Sequence, residues 1–79
     1  MQLNITSLKG LEYEGDIKSL NIKTTSGEIT ILNHHRPLVT VLSTGVAKIV
    51  DSKDKTIEIP VQSGFLEVTA DNAINILLD

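Results

Sequence analysis

Apolar side chains along this 79-residue chain recur at every second position, which is the periodicity of β-strands. The clearest case is Thr56–Val61, where Ile57, Ile59 and Val61 share one face and Thr56, Glu58 and Pro60 the other. No helical period persists over a useful length. The alternation therefore predicts a series of extended segments: one around residues 3 and 5, then 13–23, 28–32, 38–42, 46–50, 56–61, 65–70 and 73–78.

Two positions predict departures from regular strands. The apolar phase slips between Ile17 and Leu20, which is typical of a β-bulge. Pro60 has no amide proton to contribute to a ladder, so its strand is expected at the edge of a sheet or to end there. Because turn signals recur about every 8–12 residues, the pattern favours an antiparallel sandwich or barrel.

Composition restricts the core to aliphatic side chains, because apolar residues make up 41% of the chain and aromatic residues 3%. The length suits one domain spanning 1–79. Without cysteines, stability must come from apolar packing or from docking onto a partner. The residues expected to lie largely inside are Ile5, Ile17, Ile22, Ile31, Ile49, Ile57, Ile59, Leu66, Val68, Ile74 and Ile76.

The charge balance and the absence of targeting signals narrow the classes of function. The net charge is −3 and aromatic residues are scarce, which argues against nucleic-acid binding. The chain has no apolar run of membrane-spanning length, and its start has no signal-peptide pattern. A soluble intracellular domain is the expected class.

No catalytic motif is visible: there is no phosphate-binding glycine loop, no nucleophile elbow and no paired-histidine zinc motif. Glu12 and Glu14 share a strand face, but they have no predicted cleft and suit a solvated edge. His34 and His35 are adjacent, so in an extended chain they point to opposite faces and cannot hold one metal in regular geometry. They are interpreted as solvated loop residues or as a partner contact. We expect no enzymatic activity, metal, cofactor or small-molecule substrate.

A lysine on a predicted hairpin tip leaves a second class of function open. Lipoyl and biotinyl carrier domains are similar in size, all-β and acidic, and they carry their prosthetic group on such a lysine. Lys55 lies at the end of the charged turn 51–55. However, it stands two-thirds along the chain rather than between two similar halves, and Thr56 follows where a small apolar residue is usual. A carrier domain modified at Lys55 remains the alternative.

The segment 27–40 reads Gly-Glu-Ile-Thr-Ile-Leu-Asn-His-His-Arg-Pro-Leu-Val-Thr. It resembles a motif of the amino-terminal β-sandwich domain of the epsilon subunit of F-type ATP synthases. Residues 3–7, 13–15, 62–68 and 76–79 resemble further family motifs, in the same order and at matching spacing. The chain departs from the family pattern where a glycine, a proline, an alanine and a second proline are replaced by Thr30, Asn33, Arg36 and Thr44.

The resemblance implies a flattened antiparallel β-sandwich of about ten short strands. It also implies a non-catalytic subunit of the central stalk, which couples proton flow to ATP synthesis. His35, Pro37 and Thr40 are expected to contact the gamma subunit, and Glu28 to contact the c-ring. The subunit would then be peripheral on the cytoplasmic face of a bacterial inner membrane, or on the equivalent stromal or matrix face. The family's carboxy-terminal helical domain is expected to be absent from this chain.

Overall fold

The computed structural model describes all 79 residues and contains eight β-strands and no helix. The all-β fold is thus confirmed, with eight strands where the resemblance implies about ten; the 15-residue β2 continues through its bulge without a break. The strands are β1 (Gln2–Ser7), β2 (Gly10–Thr24), β3 (Gly27–Leu32), β4 (Leu38–Leu42), β5 (Gly45–Asp51), β6 (Thr56–Val61), β7 (Gly64–Val68) and β8 (Ala73–Leu78).

The long strand β2 belongs to both layers of the sandwich. Its first half, residues 10–16, pairs with β1. From β1 the layer continues with β8, then β7 and then β4. Its second half pairs with β3 on one side and with β5 on the other, and β5 pairs with β6. The register slips between Ile17 and Ser19, as the apolar phase predicts, so the bulge lies where β2 passes from one layer to the other.

Two features of the strand order concern pairing and edges. All strand pairs are antiparallel except β1 with β8, which is parallel and joins the two ends of the chain. The sandwich is therefore not purely antiparallel. A parallel pair is possible here because β1 and β8 are far apart in the chain and are not joined by a hairpin. β6 pairs with β5 alone, so Pro60 lies on an edge strand, as predicted.

The core is one cluster of fourteen buried apolar side chains, and no buried polar side-chain atom lacks a hydrogen bond. Nine of the eleven predicted core residues are in it. Ile57 and Ile59 are the two corrections, because they are half-buried against the rim of the cluster. Their strand is an edge strand, so one side of each side chain stays uncovered. The core residues that the prediction omitted are Leu3, Leu20, Leu42, Ala47 and Val61.

Candidate docking surface

The loop between β3 and β4, residues 33–37, carries the paired histidines and is here called the β3–β4 loop. It begins with a tight turn in which the His35 amide donates to the Leu32 carbonyl at 3.2 Å. His34 has a φ of 62°, in the left-handed region that histidine adopts more often than most residues. The Nδ1–H of His35 donates to the Arg36 carbonyl at 2.7 Å, which holds the half-buried ring against its own loop. The two adjacent histidines thus differ in burial and in their contacts, since His34 is exposed and His35 is half-buried.

The three residues expected to contact the gamma subunit do not point the same way. His35 and Pro37 lie in the β3–β4 loop, half-buried and exposed respectively. Thr40 lies in β4 opposite the buried Leu66 of β7, so it shares the inner face of the strand and is half-buried. A partner approaching the outer side of β4 would meet the neighbours of Thr40 before Thr40 itself.

Those neighbours form an exposed apolar surface that the sequence did not single out. Val39 and Val41 point outward from β4 and are 74% and 43% exposed. Phe65 of β7 lies opposite Val41 on one side and opposite Leu77 of β8 on the other. Phe65 is 54% exposed and Leu77 is 53% exposed. We call Val39, Val41, Phe65 and Leu77 the apolar face. The charged Glu67 lies at the border of this face, opposite Val39.

Glu28 lies in the other layer, away from this strand set. It is the second residue of β3 rather than the tip of the preceding turn, and it lies opposite Lys23 of β2. Its carboxylate accepts a hydrogen bond from the Asn21 side-chain amide at 3.3 Å and is otherwise exposed. The outer face around it combines both charges with polar groups, and it includes Lys23, Lys48 and Val46.

The remaining candidate chemistry is sparse. No three His, Cys, Asp or Glu side chains come together to hold a metal ion. The exposed Lys55 ends a turn in which Asp51 Oδ1 accepts the backbone amides of Lys53 and Lys55 at 2.9 and 2.8 Å. Burial, and secondarily the Asp51 carboxylate, raise the pKa of the Tyr13 phenol above its usual value. None of the elements is a helix able to cross a membrane.

The structure is thus a small two-layer β-fold with an apolar surface on the outer side of one layer. The whole chain, residues 1–79, matches the family described as the ATP synthase delta/epsilon chain β-sandwich domain. The chain belongs to that family. The membership confirms the resemblance and the expectation of a non-catalytic chain, and it leaves the carrier alternative at Lys55 without support.

Curated relatives agree with this assignment. The chain is 36% identical over 72 residues to the ATP synthase epsilon chain of Halalkalibacterium halodurans, which covers 90% of this chain and 53% of the relative. It is 38% identical over 69 residues to that of Aquifex aeolicus, with 87% and 51% covered. The chain therefore spans about half the length of the curated relatives it matches.

Solved structures share the fold. A chain of the Euglena gracilis mitochondrial ATP synthase, in a structure of OSCP, F1 and c-ring, superposes with a TM-score of 0.86 at 20% identity. That match covers 96% of this chain and 48% of the other. A chain of the Tetrahymena thermophila mitochondrial ATP synthase, in a structure of central stalk and c-ring, gives a TM-score of 0.80 at 21% identity, with 99% and 62% covered. At these identities the likeness concerns the fold alone.

Proposed function

We propose that this chain is a non-catalytic rotor component of the central stalk of a proton-translocating F-type ATP synthase. It docks on the gamma subunit and on the c-ring, helps to couple proton flow to ATP synthesis, and is peripheral to the membrane through the complex. Family membership and relatives named as epsilon chains support the proposal. The observation that carries it is the apolar face, in which Val39 and Val41 closely follow the β3–β4 loop in the chain.

The apolar face suits docking on a protein such as gamma because it is continuous across three neighbouring strands. Contiguous exposed apolar surface on a small domain usually marks an interaction site. Full burial of one such side chain contributes about 1.5–3 kcal/mol, and these four are already partly covered. This gain must also offset the translational and rotational freedom that the two partners lose on binding. Phe65 is the expected anchor, because it is aromatic and lies in the middle of the face.

Two valines of equal exposure test the gamma contact. Val41 on the apolar face and Val46 on the outer face of the other layer are both 43% exposed and both lie in strands. We expect Val41→Ser to weaken binding to purified gamma subunit by about tenfold, because apolar contact is lost at the interface. Val46→Ser should bind gamma like the parent. Equal loss in both variants, or in neither, would contradict docking through this face.

His35 provides a separate test of the loop. We expect His35→Ala to weaken gamma binding, since the ring sits at the junction of the β3–β4 loop with β4. Its neighbour His34 is exposed and has a positive φ that asparagine tolerates, so His34→Asn is the matched control. Isothermal titration of both variants with gamma measures the difference. If the two substitutions have the same effect, His35 has no special place in the contact.

Glu28 is proposed to meet the polar loops of the c-ring. An exposed carboxylate facing basic loop residues orients the partners and contributes about 0.2–1 kcal/mol. Glu28→Gln should therefore weaken binding to assembled c-ring modestly, more at low salt than at high salt, and leave gamma binding unchanged. Glu58→Gln, on the outer face of edge strand β6, removes the same charge from the same layer and is the control. A c-ring affinity that does not change with Glu28→Gln rules out this contact.

A further inference from the structure

Asn72, in the turn between β7 and β8, joins three separate parts of the chain. Its side-chain Oδ1 accepts the backbone amide of His34 at 2.7 Å, and its Nδ2 donates to Asn33 Oδ1 at 2.6 Å. Its own carbonyl accepts the amide of Gln2 at 3.3 Å, at the start of β1. Both ends of one amide group are thus engaged with the β3–β4 loop, which lies 38 or more residues earlier in the chain.

The β3–β4 loop has no other hydrogen bond to a distant part of the fold. Its remaining bonds are local: the His35 amide to Leu32, and the His35 ring to Arg36. Exposed loops without such links sample many conformations, and fixing each residue costs about 1–2 kcal/mol of conformational free energy. The loop conformation therefore depends on a residue that the family motif of segment 27–40 does not contain.

We infer that Asn72 is a positioning residue, which holds the β3–β4 loop in the conformation that presents His35 and Pro37 for docking. The ordering of the loop rests only on the hydrogen bonds of Asn72 within the chain, whereas its effect on docking rests on the proposed function. A loop ordered before association loses less freedom when the partner binds, so its affinity is higher. Asn72 need not touch the partner to have this effect.

The backbone of Asn72 allows a clean substitution. Its φ is 61°, which glycine adopts without strain, so Asn72→Gly removes the amide while keeping the turn. Asn72→Asp keeps an oxygen acceptor for the His34 amide and loses the donor to Asn33, so it serves as the partial rescue. Asp54 is the matched control, because it is also a non-glycine residue with positive φ, 66°, at an exposed hairpin tip. Asp54→Gly removes its bond to Lys18 and leaves the loop alone.

The first readout is amide hydrogen exchange of His34 by NMR, measured on the free chain. Loss of one hydrogen bond predicts exchange about five- to tenfold faster in Asn72→Gly, with most of the protection recovered in Asn72→Asp. Asp54→Gly should leave His34 exchange like the parent. An unchanged His34 rate in Asn72→Gly overturns the inference, as does a loss of protection spread over the whole chain, which would indicate general destabilisation.

The second readout is affinity for purified gamma subunit. We expect Asn72→Gly to bind about three- to thirtyfold more weakly and Asp54→Gly to bind like the parent. Faster exchange at His34 with unchanged affinity would show that ordering the loop has no part in docking, and would overturn that half of the inference. A parent chain that does not bind gamma refutes the proposed function and the docking half together, while the exchange data still decide whether Asn72 orders the loop.

Discussion

Gly64 is the position where one added methyl group is expected to do the most damage. It is buried at the start of β7, between β4 and β8, and lies opposite Leu78 and Leu42. A Cβ built there would press into the backbone carbonyl oxygen of Leu77 and come within 3.2 Å of the Leu78 Cα. These are backbone atoms of a paired strand, so no side chain can swing aside to relieve the contact. Its φ of +156° adds a conformation that L-residues rarely adopt.

The expected cost of Gly64→Ala combines two effects. Overpacking in a closely packed interior costs about 1–3 kcal/mol, and an unfavourable backbone conformation about 1–2 kcal/mol. We therefore expect a loss of about 2–5 kcal/mol in the free energy of unfolding. A domain of this size has about 4–12 kcal/mol in total, so the substitution would remove a large part of its stability.

Gly27→Ala separates these two contributions. Gly27 also has a positive φ, 122°, but an added Cβ there has no atom within 4 Å. Its substitution should cost only the conformational part, about 1–2 kcal/mol. Urea unfolding followed by far-ultraviolet circular dichroism measures both variants on one scale. If Gly64→Ala loses no more stability than Gly27→Ala, the close approach of β8 does not explain the glycine.

Two further predictions concern the core and pH. Leu66 is fully buried, so Leu66→Ala should lower the free energy of unfolding by about 2–5 kcal/mol. Ile59 is half-buried, so Ile59→Ala should lower it clearly less. Equal losses in urea unfolding would contradict the assigned burial. The pKa of Tyr13 is raised in the folded chain, so its contribution to stability is present below its unfolded pKa of about 10 and is lost as pH rises through the folded value. Thermal unfolding between pH 8 and strongly alkaline pH should therefore show a steeper loss for the parent than for Tyr13→Phe, and parallel curves would be contrary evidence.

Local periodicity predicted the features of the fold that depend on neighbouring residues. The bulge after Ile17 follows from an apolar phase slip within one strand, and the edge position of β6 from the missing amide of Pro60. The parallel pairing of β1 with β8 joins residues about seventy positions apart, which no local pattern records. The half-burial of Ile57 and Ile59 is likewise absent from the local pattern, because it depends on β6 having a neighbouring strand on one side only.

The site was predicted less completely than the fold. The family motif marked the β3–β4 loop, but Val41, Phe65 and Leu77 lie outside the residues assigned from it. A signal was present at Phe65 and Leu77, since each is an apolar residue out of phase with its buried neighbours Leu66 and Ile76. The sequence pattern does not single out Asn72, because its partners are brought to it by tertiary structure.

Strand β4 shows how sequence pattern and proposed docking fit together. Leu38 and Leu42 face inward with Thr40, and Val39 and Val41 face outward, so the strand is apolar on both faces. Strands of that composition are typically covered on both sides, whereas a strand with one solvated face alternates. β6 is the contrast within the same chain, because its outward residues are Thr56, Glu58 and Pro60. In the isolated chain β4 is covered on its inner side only, and we propose that the gamma subunit covers its outer side.

A Val39→Thr, Val41→Thr double substitution would give β4 the alternation of β6 with little change in shape or strand propensity. It should therefore leave the free energy of unfolding of the isolated chain nearly unchanged and weaken gamma binding, and a large loss of stability with intact binding would refute this interpretation of β4.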